Sequence, residues 1–147
     1  MIEAVSSKNL DELLPLMRAY MAFYHVQNID DANNKTFFSQ FGEDSDKGCL
    51  FLYRQDGQAV AFATVYFSFI SSITAKVAVL NDLYTAPEYR GQGIGRKLVE
   101  HCRAYAKQYG AARLQWLTAP DNTQAQALYD SLDTNKSDWR VYTYPVS

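Results

Sequence analysis

Residues 80–98 read LNDLYTAPEYRGQGIGRKL. An apolar run from Leu80 to Thr85 leads into three glycines, Gly91, Gly93 and Gly95, and a helix-like pattern follows. Arg90 stands before the glycines, and Arg96 and Lys97 stand after them. A helix start presents unpaired N–H groups and the positive end of its dipole. Glycines there let a phosphate approach the backbone closely. The stretch therefore implies a phosphorylated cofactor. The dinucleotide fingerprint, Gly-x-Gly-x-x-Gly near a first strand, has a different spacing. The P-loop, Gly-x-x-x-x-Gly-Lys-Ser/Thr, is absent.

Working outward, the apolar run is one strand, roughly Lys76 to Thr85. After the glycines, Ile94, Leu98, Cys102, Tyr105 and Tyr109 mark one helical face, with Arg96, Lys97, Glu100, Arg103 and Lys107 on the other. Gly110 ends that helix. Upstream, CLFLYRQDGQAVAFATVYFSF predicts two strands around Asp56-Gly57, a hairpin signal. Ile2 to Val5 is a short strand. Ser7 caps a helix carrying Leu10, Leu13, Leu14, Met17, Tyr20, Met21 and Tyr24, with Pro15 implying a kink or an irregular first turn. Phe37, Phe38 and Phe41 suggest a small helix and a loop. Downstream, the pattern predicts a strand over 113–118, a helix over 122–132 and a strand over 139–144. The order β-α-α-β-β-β-α-β-α-β makes one mixed α/β sheet with helices on its faces.

The chain has 147 residues, the size of one compact domain, and no internal linker or repeat divides it. Its net charge of −2, from 14 basic and 16 acidic side chains, argues against nucleic acid as a partner. No run approaches a membrane span, and the N-terminus lacks a secretory pattern. Two cysteines, Cys49 and Cys102, and two histidines have no metal-type spacing. The expectation is a reduced cytoplasmic protein with no metal.

The run Arg90-Gly91-Gln92-Gly93-Ile94-Gly95 resembles the Arg/Gln-x-x-Gly-x-Gly/Ala signature of the GNAT N-acetyltransferases. The segment DNTQAQALYDSL, residues 121–132, is similar to that family's Asn-x-x-Ala-x-x-Leu-Tyr element. The resemblance covers nearly the whole chain and is weakest over residues 28–47. Within the family, the chain looks most similar to the diamine, polyamine and histone acetyltransferase branch. The resemblance implies one GNAT domain over residues 1–147: a mixed, mostly antiparallel sheet of six to seven strands, about four flanking helices, and a splayed strand pair at the cofactor site. It further implies acetyl-CoA as cofactor, CoA as product, a small-molecule amine as substrate and, by analogy, a homodimer.

By that resemblance, the backbone of Arg90, Gly91, Gln92, Gly93, Ile94, Gly95 and Arg96 holds the pyrophosphate. Leu83, Tyr84 and Thr85 receive the pantetheine arm like an added strand, and the Leu83 N–H polarises the thioester carbonyl. Asn122, with Ala125 in the same element, contacts the cofactor arm, or Asn122 caps its helix, or both. Tyr129 lies seven residues, nearly two helical turns, after Asn122. It is the general acid that protonates the departing thiolate, or it is a packing ring. A phenol with an ordinary pKa of about 10 is protonated at neutral pH, as a donor must be.

The base is less direct. Members of the diamine branch often carry Glu where this chain has Asn81, and an amide takes no proton. Strand neighbours face opposite ways, so Asp82 is expected to face away from a cleft lined by Asn81. A water chain ending at a Tyr or a carboxylate is the expected acceptor. Phe23, Tyr24 and His25, at the end of the first helix, fall where the branch contacts its amine. Aromatic faces attract cations, while the alternative is that these rings cap the core. Asp133 stands where the family often has a Gly ending the helix in a left-handed turn, a conformation Asp tolerates. Cys102 reads as core. Two further readings stay open, a protein lysine or N-terminal acetyltransferase and a CoA-binding sensor without turnover.

Overall fold

The computed structural model describes residues 1–147, which fold as two compact units, Met1–Leu117 and Thr118–Ser147. In the first unit the elements run β1 (Ile2–Ala4), α1 (Leu10–Phe23), α2 (Asp31–Phe38), β2 (Gly48–Gln55), β3 (Gln58–Ile70), β4 (Ala75–Thr85), α3 (Ile94–Gln108) and β5 (Leu114–Gln115). The second unit holds α4 (Thr123–Asp130).

The strands form one sheet in the order β1-β2-β3-β4-β5. Neighbours pair antiparallel except β4 and β5, which are parallel. The sheet is mixed and mostly antiparallel, as expected, with five strands rather than six to seven. One missing strand lowers the count, and one strand is shorter than expected. Residues 139–144 alternate as a strand would but have no partner strand and are not in one. The strand expected over 113–118 shrinks to Leu114–Gln115, because its partner β4 is engaged only at Ala78 and Val79.

The Asp56-Gly57 hairpin forms as its turn chemistry demands, with φ of 51° and 80° at the two central residues. One face of the sheet buries Leu50, Leu52 and Phe62 against Leu10, Leu13 and Met17 of α1 and Phe38 of α2. The other face packs on α3, whose Ile94, Leu98, Val99, Cys102, Tyr105 and Ala106 are buried. Cys102 and Cys49 are both fully buried core groups. Burial pushes each thiol up to about 12, so neither is a thiolate nucleophile at neutral pH.

Ser7 is not the cap of α1. The helix starts two residues later, after Asn9, whose side chain faces backward. Asn9 Oδ1 accepts from the Ser6 N–H at 2.7 Å, and Nδ2 donates to Glu3 and to the Ala4 carbonyl. Helix α1 continues through Pro15, which lies on its exposed face, where the carbonyl that loses its partner is open to solvent. In the second unit α4 ends near Ser131. Asp133 does not adopt the left-handed conformation expected there, since the Leu132 N–H already bonds the Tyr129 carbonyl and closes the last turn.

Candidate active site

The first unit builds its site on β4. This strand pairs with β3 along its length, but with β5 only at Ala78 and Val79. From Leu80 onward its second edge has no strand beside it in the sheet. The register slips between Thr64 and Val65, where Thr64 faces Asp82 and Val65 faces Leu80. Asn81 is therefore the extra residue of a β-bulge.

The bulge decides which N–H groups face the vacated edge. The Ala78 N–H donates toward β5, to Arg113, while the Ala86 N–H donates across β3, to Val60. Both positions are even, so unbroken alternation would point them the same way. The extra residue at Asn81 reverses the phase. Counting back from Ala86, the N–H groups of Thr85 and Leu83 face the edge that β5 leaves. Tyr84 is inward, buried against Phe62 and Tyr20.

The bulge also gathers side chains. Neighbours on a regular strand diverge, yet Asn81 Nδ2 donates to Asp82 Oδ2 at 3.1 Å. The expectation that Asp82 faces away from Asn81 is thus corrected, because a bulge breaks the two-residue alternation on which it rested. The Thr64 hydroxyl, fully buried on β3, donates to the same Asp82 oxygen at 2.5 Å. Tyr66 stands next along β3. Burial, and then the negative charge of Asp82, push its phenol up to about 12.

The glycine loop turns from β4 into α3. Gly91 and Gly93 have φ of 78° and 79°, the left-handed region. Gly93 is the N-cap, and the first helical bond runs from the Lys97 N–H to the Gly93 carbonyl. The N–H groups of Ile94 and Gly95 precede that bond and lie in the helix's first turn. Ile94 buries its side chain in the core, so it offers only backbone, whereas Gln92 and Arg96 are exposed. Arg90 turns back onto the strand: its Nε donates to the Thr85 carbonyl at 2.9 Å, and its guanidinium lies 5.6 Å from the centre of the Tyr84 ring.

At the end of α1 a string of edge-to-face rings runs Phe23–Tyr24–Tyr20, with centroids 5.2 and 5.0 Å apart, and reaches Tyr84 at 5.9 Å. Phe23 and Tyr24 are 58% and 54% exposed, so they do not cap the core. His25 sits at φ 59°, bonding the Ala22 carbonyl, while Val26 bonds that of Met21. This is a Schellman ending with His where Gly is usual.

In the second unit, Asn122 caps α4 and its Oδ1 accepts from the Ala125 N–H at 3.2 Å. Asn122, Ala125 and Tyr129 are all half-buried along that helix. Nowhere do three His, Cys, Asp or Glu side chains gather as a metal site would require.

A splayed strand edge followed by a glycine-rich helix start is what the sequence motif implied. The profile of the acetyltransferase (GNAT) family matches residues 13–133. The chain belongs to the GNAT acetyltransferase family. It is 33% identical over 129 residues to the ribosomal protein bS18-alanine N-acetyltransferase of Escherichia coli, covering 86% of this chain and 81% of that one. It is 28% identical over 130 residues to the D-amino-acid N-acetyltransferase of Saccharomyces cerevisiae, covering 87% and 80%. The crystal structure of a probable acetyltransferase superposes with a TM-score of 0.86 at 28% identity, over 100% of this chain and 98% of that one. This GNAT chain is an N-acetyltransferase, and acetyl-CoA is the donor its family uses. Sequence reasoning had named the glycines, β4 and the α1 aromatics. It missed the bulge and Thr64, because a bulge leaves no composition signal in an apolar strand.

Proposed function

We propose that residues 1–147 act as one N-acetyltransferase domain that moves the acetyl group of acetyl-CoA to a primary amine of a small cationic molecule, a polyamine or a lysine-like amine. The amine attacks the thioester directly within a ternary complex. The observation that carries the reading is the vacated edge of β4, with the Leu83 and Thr85 N–H groups turned toward it. A pantetheine amide there finds backbone partners as an added strand would. The Leu83 N–H is the donor for the thioester oxygen as negative charge develops on it.

Gly91, Gly93 and Gly95 let the pyrophosphate reach the backbone of α3's first turn. Asn122, through its free amide end, and Ala125 contact the cofactor arm. Tyr129 protonates the leaving thiolate. Phe23, Tyr24 and His25 line the approach of the amine. A second reading, acetylation of a protein's N-terminal amine, is favoured by the likeness to the bS18-alanine enzyme.

The protein works in the cytoplasm as a homodimer. The support for the dimer is the tail, where Trp139, Tyr142 and Tyr144 are 84%, 90% and 92% exposed, since clustered exposed apolar side chains mark interaction surfaces. Light scattering reads this directly, and a monomer at micromolar concentration removes the dimer.

The deciding experiment measures CoA release from acetyl-CoA with spermidine, spermine, diamines, lysine, thialysine and an N-terminal alanine peptide, beside Tyr129→Phe. Turnover on a small amine that falls at least tenfold in the variant supports the reading. Turnover on the peptide alone moves it to the protein substrate. Tight acetyl-CoA binding with no turnover makes the chain a sensor.

A further inference from the structure

We infer that Asp82 is the group that docks the incoming ammonium and takes its proton, and that the buried Thr64 hydroxyl is the residue that positions it. This rests on the proposed amine acetylation and assigns the acceptor within it.

Asp82 is half-buried, and none of the ion pairs of the structure includes it. A carboxylate drawn from water without a resident cation costs free energy unless something charged or polar compensates. Only one of its oxygens is compensated. Oδ2 accepts from Thr64 Oγ1 and from Asn81 Nδ2. Oδ1 has no donor within the molecule. Two hydrogen bonds on one oxygen fix the plane of the carboxylate, and they leave the other oxygen as a directed acceptor.

The lock is rigid because its parts are. Thr64 is fully buried in the middle of the sheet, and its β-branched side chain has little rotamer freedom. The Asn81 amide reaches Oδ2 because the bulge turns it to the side of its neighbour. Asp82 is also the residue directly before Leu83, whose N–H faces the vacated edge of β4. The acceptor for the amine's proton and the proposed donor to the thioester oxygen are therefore adjacent on one strand.

The face is suited to a cation. Phe62, Thr64 and Tyr66 alternate onto the side of the sheet that carries α1 and α2. Tyr66 lies 4.8 Å from Phe41, and Tyr20 lies 5.6 Å from Phe62. Aromatic walls around a single carboxylate select a protonated amine over a neutral nucleophile. Burial holds the neighbouring Tyr66 phenol in its protonated form.

The step balances as follows. The substrate R–NH3+ gives one proton to Asp82 Oδ1. The freed lone pair forms the C–N bond to the thioester carbon, and the C–S bond breaks with its electron pair on sulfur. The thiolate takes a proton from Tyr129, and the nitrogen's second excess proton passes to water. The carboxyl of Asp82 and the phenol of Tyr129 then re-equilibrate with solvent, releasing one net proton per turnover.

The test uses the full chain and three variants, Asp82→Asn, Thr64→Val and Thr64→Ser. Acetyl-CoA affinity, read by titration, reports the fold and the cofactor site, and it should stay within about twofold in all three. For the best amine of the panel, Asp82→Asn should lose about 100-fold or more in kcat/KM, the usual weight of a positioned proton acceptor. Thr64→Val should lose about tenfold, mainly in kcat, and Thr64→Ser should recover most of it. A purely packing role for Thr64 predicts the reverse order, since Val fills the space better than Ser. Calorimetric titration of spermidine into the CoA-saturated protein reads the docking contact without chemistry, with binding expected in the parent and lost in Asp82→Asn.

Equal kcat/KM in Asp82→Asn and the parent overturns the inference while leaving the acetyltransferase reading intact. So does equal spermidine binding in both, or none in the parent. Failure of the parent to bind acetyl-CoA at all is the separate failure of that reading, and takes this one with it.

Discussion

Asn81 Nδ2 and Asp82 Oδ2 lie 3.1 Å apart although the two residues are neighbours on a strand. That contact exists only because Asn81 is an extra residue in β4. Deleting Asn81 should restore unbroken pairing with β3, leave the Leu83 N–H on the vacated edge, and remove the amide that holds Asp82 Oδ2. The sheet should persist, since β3 and β4 stay complementary, while turnover falls by up to about 100-fold, as misplacing a reacting group by about 1 Å does. Circular dichroism and steady-state kinetics read the two halves separately. A deletion variant of normal activity would show that the bulge does not set the site.

Gly93 has φ 79°, and a Cβ placed on it meets nothing within 4 Å. The site is open, so the demand for glycine is in the backbone and in what must approach it. Gly93→Ala should cost about 1–2 kcal/mol of stability from the left-handed conformation alone. On the proposed cofactor binding it should also weaken acetyl-CoA affinity by more than that strain explains, because the added methyl would stand in the path of the pyrophosphate. Thermal unfolding with and without acetyl-CoA separates the two effects. An equal stabilisation by the ligand in both proteins would mean that the phosphate does not contact this turn.

Much of this was legible in the residues. Asp56-Gly57 names its own hairpin, Gly91-Gln92-Gly93 its own turn, and Ile94, Leu98, Cys102 and Tyr105 the buried face of α3, because each follows from local geometry. What was not legible depends on partners. The short β5 follows from how little of β4 it meets. Residues 139–144 have a strand's alternation without a strand to pair with. Asn9 takes the place of Ser7 at the start of α1 because Glu3 and Ala4 capture its amide. The bulge at Asn81 is a register event between two strands, and no single strand records it. The roles proposed for Asn122 and Tyr129 rest on the family resemblance, and spacing alone leaves them as a cap and a ring.

His25 ends α1 at φ 59°, a position where Gly carries no penalty. His25→Gly should relieve about 1 kcal/mol of strain and raise the melting temperature by about 3 °C. If the strained residue is kept for the amine, the KM for amine should rise while acetyl-CoA affinity holds. Calorimetry and the amine kinetics of the same variant decide it. A more stable protein with unchanged amine KM would assign His25 no part in substrate binding.

Arg54 joins three elements, donating to Glu3 from β1 through Nε at 2.7 Å and to Glu12 from α1 through Nη1 at 2.7 Å. Its hydrogen bonds are the main cause holding both carboxyls below their ordinary value of 4.5, with Asn9 adding to the effect at Glu3. A carboxyl whose pKa is depressed by folding contributes stability that is fully present above the unfolded value. That stability is lost as pH falls through the folded value. The parent should therefore lose stability steeply below about pH 4.5, more steeply than Arg54→Gln, in which both carboxyls return toward their ordinary range. Above that pH the difference between the two proteins should be constant. Thermal unfolding from pH 3 to pH 7 gives both curves, and parallel curves across the acid range would mean that this three-element ion pair does not couple folding to protonation.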